Sequence, residues 1–355
     1  MRIGIVSDAW RPQVNGVVTT LMRTAETLRS FGHEVHMMTP EGLRTIPCPS
    51  YPEIRLALFQ GRRVTEWLEE SRVDALHVAT EGPLGLAARR AALRAGLRFT
   101  TSYHTQFPQY LRARYPVPEV LTYRALRWFH APAARTMVGT RQVRRELRRY
   151  GFRHLAYWTR GVDTDLFKPG VERFSASGGP VLVYVGRVSV EKSVEDFCRI
   201  RRPGRKIVIG DGPALPELKA RYPEVLFTGF LFGEALAALL ASADCFVFPS
   251  RTDTFGLVML EAMACGLPIA AYPVTGPIDV VREGVTGCLR TELDLAVEGA
   301  LQLDRGACRA QALEYGWDNA TRQFIDNLVE VRATACARRP GRSALRVERV
   351  RAQCP

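Results

Sequence analysis

Short apolar runs recur along the chain, each closed by a polar or glycine-bearing turn and followed by a stretch whose apolar residues return every three or four positions. Buried strands read as near-continuous apolar runs, and amphipathic helices read with the longer period, so the alternation predicts repeated βα units and parallel sheets. In the first half the pattern predicts strands over Arg2–Ser7, Glu34–Thr39, Asp74–Ala79, Phe99–Tyr103 and Thr136–Gly139. In the second half it predicts strands over Pro180–Val185, Lys206–Ile209, Val225–Thr228, Cys245–Pro249 and Ile269–Tyr272. Two such sets predict an α/β protein with two Rossmann-like halves.

Between the sets, the turn-rich run Arg160–Gly170 and the following Ser175–Gly179 have the composition of a crossing between domains. This divides the chain into a first domain over 1–165, a second over 166–316, and a segment in which Trp317, Ala320, Phe324, Leu328 and Val331 share a helical face. That face predicts a helix over about 317–333 that returns to the first domain. The remainder, 334–355, is arginine-rich with Pro340 and Gly341 and predicts a mobile tail. A length of 355 residues suits two domains with separate cores.

Charge changes the picture unevenly. The net charge is +13, but residues 1–165 carry 25 basic and 14 acidic side chains, whereas 166–319 carry 16 and 19. The basic character therefore belongs to the first domain and the tail. Arg141, Arg144, Arg145 and Arg148 line one side of a predicted helix, with Trp128, Phe129, Trp67 and Leu68 as nearby apolar residues, so the segment reads as a solvated face or as a contact for anionic lipid. Eight cysteines are scattered without a Cys-x-x-Cys pair or a histidine at ligand spacing, which predicts reduced thiols and no metal site. No run of 18 apolar residues occurs, and Met1–Asp8 reads as a strand entering a loop, so a cytoplasmic protein is expected, with the inner membrane face as a peripheral site. No nucleic-acid motif is present.

The densest candidate chemistry lies in Ser250–Pro268. A strand end leads through a polar loop into a short helix stopped by Gly266 and Pro268, with Asp253 and Glu261 eight positions apart. Amides at the start of that helix, Thr254, Phe255, Gly256 and Leu257, are placed to meet an anion. Upstream, the predicted strand to Val185 runs into Gly186-Arg187-Val188-Ser189-Val190-Glu191-Lys192, which sets two cations on one strand-end loop. Gly210-Asp211-Gly212-Pro213 follows the next strand and reads as an ordinary tight turn or as a ligand border. In the first half, Asn15-Gly16 opens a helix without the Gly-x-Gly-x-x-Gly fingerprint of dinucleotide enzymes. His104 stands just past a strand end, and Glu81 stands before a helix, where it reads as a capping carboxylate.

These segments together resemble family 4 of the retaining GT-B glycosyltransferases, over roughly residues 1–331. The Gly-Arg…Glu-Lys run matches at Gly186, Arg187, Glu191 and Lys192, and the acidic signature matches at Glu261 with Asp253 in place of the family's first Glu. The resemblance implies a GT-B fold, two Rossmann-like domains facing each other across a cleft, and a metal-independent hexosyltransferase of glycan or glycolipid biosynthesis, similar to bacterial GDP-mannose-dependent α-mannosyltransferases and glycolipid sugar transferases. It implies a GDP- or UDP-linked sugar as donor, no cofactor, and a hydroxyl acceptor, with a lipid or growing glycan as candidates. By the same resemblance Arg187 and Lys192 hold the diphosphate, Glu261 the ribose, and Asp253 with the 254–257 amides the sugar and phosphate. Gly16 approaches the phosphates from the opposite wall, Gly210 and Gly212 border the nucleotide, and His104 faces the transferring sugar. A non-transferring sugar-nucleotide epimerase and a basic nucleic-acid-binding protein are the alternatives.

Overall fold

The computed structural model describes residues 1–13, 15–48, 51–114, 117–170 and 179–331. The tail expected over 334–355 and most of the Ser175–Gly179 part of the crossing lie outside the described residues. Strands β1 (Arg2–Val6), β2 (Glu34–Met38), β5 (Ala75–Val78), β6 (Thr100–Tyr103), β7 (Arg135–Val138) and β8 (Leu155–Tyr157) form a parallel sheet in the order β2-β1-β5-β6-β7-β8. A two-stranded antiparallel ribbon of β3 (Ile46–Cys48) and β4 (Tyr51–Leu56) stands apart from it. The second sheet runs β11-β10-β9-β12-β13-β14, from β9 (Val181–Val185), β10 (Arg205–Ile209), β11 (Leu226–Gly229), β12 (Cys245–Phe248), β13 (Ile269–Ala271) and β14 (Gly287–Leu289), again all parallel. Every strand anticipated from the apolar pattern is present, with ends shifted by a residue. The pattern missed the ribbon, β8 and β14, the last two being three-residue edge strands too short to show a period.

Helices cover both faces of each sheet, which is why the central strands are apolar throughout: Ile3, Ile5, Val6, Leu76, Val181, Leu182 and Val183 are wholly buried. In each sheet the strand order reverses beside the first strand, between β1 and β5 and between β9 and β12. Loops at the carboxyl ends of strands flank a crevice at such a reversal, and ligands of open α/β sheets bind there.

The chain crosses between the domains twice. Beyond the second crossing, the helix Trp317–Asn327 lays Ala320, Thr321 and Phe324 inward, with Phe324 in a first-domain core that contains Ile3, Ile5, Leu21, Leu28 and Trp158. The helix is shorter than the spacing predicts: Leu328 is already extended, and Val331 N–H donates to Asp74 carbonyl at 2.7 Å. The two crossings run side by side, Val162 N–H donating to the Tyr315 carbonyl at 2.8 Å. Gly161 is needed there because a Cβ would lie 2.7 Å from the Trp317 Cα.

Candidate functional site

The wall formed by the second domain begins with two interlocked turns. Gly186 N–H donates to the Ile209 carbonyl at 3.0 Å, and Val188 N–H to the Asp211 carbonyl at 2.9 Å, so the loop after β9 is stitched to the loop after β10. A Cβ on Gly210 would fall 1.9 Å from the Gly186 carbonyl oxygen, and one on Gly212 would fall 2.4 Å from that of Val188. The fold itself therefore demands glycine at both positions, a reason that the turn composition alone does not reveal. The stitched loop carries partly exposed Arg187 and leads to the single turn Val190–Lys192.

Lys192 meets the acidic segment directly. Its Nζ lies 2.5 Å from Asp253 Oδ1, with both side chains about four-fifths buried, while the Thr252 hydroxyl donates to the Glu191 carbonyl at 3.2 Å. Asp253 Oδ2 and the hydroxyls of Ser189 and Ser250 are buried without a partner among the described residues. A buried oxygen left unpaired is costly in a finished core and marks a place built for another polar group. The helix Leu257–Ala264 starts from Gly256 in the left-handed conformation, φ 85°. The amides of Thr254, Phe255, Gly256 and Leu257 donate to no acceptor among the described residues. The Phe255 ring is buried in the second-domain core, so only its backbone is available to a ligand. Glu261 sits one turn on; burial pushes its carboxyl up to about 7, and the Arg23 guanidinium of the first domain pulls in the opposite direction.

The first domain supplies the facing wall. Gly16 opens the helix Gly16–Ser30, and an added Cβ would lie 3.3 Å from Leu257 Cδ1, so this position stands against the start of the second-domain helix. Asn15 Oδ1 already accepts from the amides of Val17 and Val18 at 3.0 Å, which leaves Gly16 itself as the open end of that turn. His104, just past β6, is buried, and its carbonyl accepts the Thr254 hydroxyl across the cleft at 2.7 Å. Its Nδ1 lies 3.1 Å from Arg160 Nη2, while its Nε2 is buried with no partner among the described residues. Gln142 N–H adds a further bridge to the Asp279 carboxylate at 3.1 Å. The structure thus brings Lys192 to Asp253, His104 to Thr254, Gly16 to Leu257 and Arg23 near Glu261, while Arg187 stands on the Gly186–Lys192 loop of the second domain.

One expectation changes. The cap on the helix Pro83–Arg94 is Asp8, which accepts from Leu84 N–H at 2.7 Å and Gly85 N–H at 3.1 Å from the end of β1. Glu81 instead pairs with buried His130 at 3.1 Å. Asp8 reaches these amides because β1 pairs with β5, the strand that leads into this helix, a neighbour that local sequence does not show. Arg160 was not singled out from the sequence; its isolation among linker residues gave no signal. No group of His, Cys, Asp and Glu that could hold a metal occurs among the described residues.

A crevice of charged and amide donors between two facing parallel-sheet domains is the arrangement of a GT-B glycosyltransferase. Residues 14–166 match the family model described as Glycosyltransferase Family 4, and residues 179–303 match that described as Glycosyl transferases group 1. The chain is 31% identical, over an alignment of 323 residues, to a GDP-mannose-dependent alpha-mannosyltransferase of Corynebacterium glutamicum, covering 83% of this chain and 78% of that one. It is 32% identical to the sulfoquinovosyl transferase SQD2 of Arabidopsis thaliana, covering 78% of this chain and 61% of that protein. Among solved structures, sucrose-phosphate synthase from Thermosynechococcus elongatus superposes with a TM-score of 0.75 at 20% identity, covering 92% of this chain and 97% of that one. HepE of Anabaena, in complex with UDP and glucose, gives 0.68 at 16%, covering 92% and 98%. The chain belongs to the family 4, group 1 glycosyltransferases, and is a hexosyltransferase.

Proposed function

We propose that this enzyme transfers a hexose, with retained anomeric configuration, from a nucleoside-diphosphate sugar to a hydroxyl acceptor. Mannose from a GDP-linked donor is the first candidate, because relatives from three organisms carry the name GDP-mannose-dependent alpha-mannosyltransferase. The observation that carries the reading is the concentration of cations and open amides on one wall. Lys192, Arg187 and the amides of 254–257 can take up the negative charge that builds on a departing diphosphate, where preorganised donors contribute most. In this reading they do so without a metal. The Glu261 carboxylate accepts from ribose hydroxyls, Asp253 and His104 contact the sugar, and Gly16 lets backbone approach the phosphates.

Retention fits the chemistry of His104. Its Nδ1 lone pair is engaged by Arg160, so it is a poor base, and the departing phosphate oxygen is left to accept the acceptor's proton on the same face of the sugar. We assign residues 1–165 with the returning helix to the acceptor side and 166–316 to the donor side. The acceptor is a lipid or glycan hydroxyl, the former because relatives named alpha-monoglucosyldiacylglycerol synthase, from Streptococcus pneumoniae and Acholeplasma laidlawii, align over about three quarters of this chain. Incubation with a panel of GDP- and UDP-sugars, followed by mass spectrometry for donor loss and product gain, tests this. Release of GDP from GDP-mannose with a mannosylated product is expected; depletion of no donor in the presence of lipid and glycan extracts would overturn it.

A further inference from the structure

His104 is held from three sides. Trp158 meets its ring edge-on at 5.6 Å, Thr254 of the other domain holds its carbonyl, and Arg160 reaches its Nδ1. Arg160 is itself fixed. Its Nη1 donates to the Trp158 carbonyl at 2.7 Å and to that of Thr159 at 3.2 Å, and its guanidinium lies over the Trp158 ring, 4.6 Å from the centroid. It is 4% exposed, on the segment where the chain leaves the first domain.

A guanidinium has donors only. Nδ1 of His104 must therefore present its lone pair, and the single ring proton must sit on Nε2, the atom that is buried without a partner among the described residues. Burial holds the His104 pKa well below its ordinary value, and Arg160, His77 and His130 lower it further. Each of these influences disfavours an imidazolium.

We propose that Arg160 is a positioning residue that locks His104 as the Nε2–H tautomer, so that His104 donates one hydrogen bond to an oxygen of the transferred sugar and cannot act as a base. The assignment of the partner as a sugar oxygen rests on the function proposed above; the tautomer lock does not.

The test uses the full chain labelled with 15N-histidine. Long-range 15N–1H correlation spectra of the parent should show His104 with a protonated Nε2 and an unprotonated Nδ1 from pH 5.5 to 8. Arg160→Met should give mixed tautomers or an ionisation inside that range, and Arg160→Lys, which keeps a donor, should restore the parent pattern. In transfer assays Arg160→Met should cost roughly tenfold or more in kcat. His104→Gln presents an amide N–H that needs no tautomer. In that background Arg160→Met should therefore cost no more than about twofold, the scatter of uncoupled sites. A protonated Nδ1 in the parent, or equal losses from Arg160→Met in both backgrounds, would overturn the proposal. Should Arg160→Met not fold, the parent spectrum and Arg160→Lys still decide. A locked tautomer in a protein that depletes no donor would leave the lock standing and remove the sugar-transfer reading alone.

Discussion

Lys192 and Asp253, 61 residues apart, form one partly buried ion pair: Nζ stands 2.5 Å from Oδ1, and the second oxygen of Asp253 has no partner among the described residues. Residues assigned separately from sequence motifs are thus a coupled unit. Lys192→Ala strips charge from the leaving-group side and leaves a carboxylate uncompensated, so it should remove about 2 to 4 kcal/mol of transition-state stabilisation, as should Arg187→Ala. Asp253→Asn should also lose most transfer. Asp253→Glu should lose less, because the added methylene keeps the charge but displaces the ammonium. Combined in one chain, Lys192→Ala and Asp253→Asn should cost less than the two separate losses added. Steady-state kinetics check this, and turnover within threefold of the parent for both Asp253 variants would show that this carboxylate plays no part in transfer.

Glu261 carries a pH signature of its own. Its folded carboxyl titrates near 7 because burial disfavours the charge, against an ordinary 4.5. Between those values the native state holds a proton that the unfolded chain has released, so stability falls as pH rises from about 4.5 to 7. The contribution is about 3 to 3.5 kcal/mol at most. Glu261→Gln should therefore be more stable than the parent at pH 8 in the absence of ligand, with the difference vanishing near pH 4.5. Denaturant midpoints across that range measure it; parallel pH profiles for the two proteins would contradict it.

The architecture was largely legible in the sequence, because a buried parallel strand must be apolar along its length and a turn must follow it. Val181–Val185 and Cys245–Phe248 could hardly be anything else. What the sequence concealed are relations between distant segments. The Lys192–Asp253 pair, the Arg160–His104 contact and the Asp8 cap each join strand ends that only the sheet order brings together. Gly210 and Gly212 show the converse: visible as a turn, they owe their identity to the carbonyls of a neighbouring loop. Expectations for the surface were the weakest, since Phe129 is buried and Trp67 and Leu68 pack against the first-domain core.

Gly161 offers a test of the crossing. A Cβ there would meet Trp317 at its Cα, a backbone atom that cannot swing aside as a side chain could. Gly161→Ala should force the two crossings apart and destabilise the protein by about 1 to 3 kcal/mol, the usual penalty of overpacking. Gly42→Ala, at a site with no heavy atom within 4 Å but a positive φ, serves as the comparison for pure backbone strain. Thermal or urea melts should rank Gly161→Ala below Gly42→Ala; the reverse order would show that the crossings yield easily.

Two neighbouring helices of the first domain expose apolar and basic side chains side by side. On the helix Glu119–His130, Val120, Leu121 and Trp128 are 65%, 58% and 54% exposed, with exposed Arg124 and Arg127 between them. The helix Arg141–Arg149 lies beside it, tied by the Tyr123 hydroxyl donating to Glu146 at 2.6 Å and by Tyr123 stacked on Tyr150 at 3.6 Å. That second helix exposes Arg141, Arg145, Arg148 and Arg149, whereas Arg144 folds over the Tyr157 ring. Apolar side chains with a basic flank suit the interface of an anionic bilayer, where each arginine adds about 1 kcal/mol and each inserted apolar group adds its own burial. The protein should therefore sediment with anionic vesicles at low salt and be released as salt rises. Leu121→Glu with Trp128→Glu should reduce recovery at both low and moderate salt, while Arg145→Glu with Arg148→Glu should act mainly at low salt. Equal recovery with neutral and anionic vesicles would remove the electrostatic contact, and full binding by the Leu121 and Trp128 double variant would remove the apolar one.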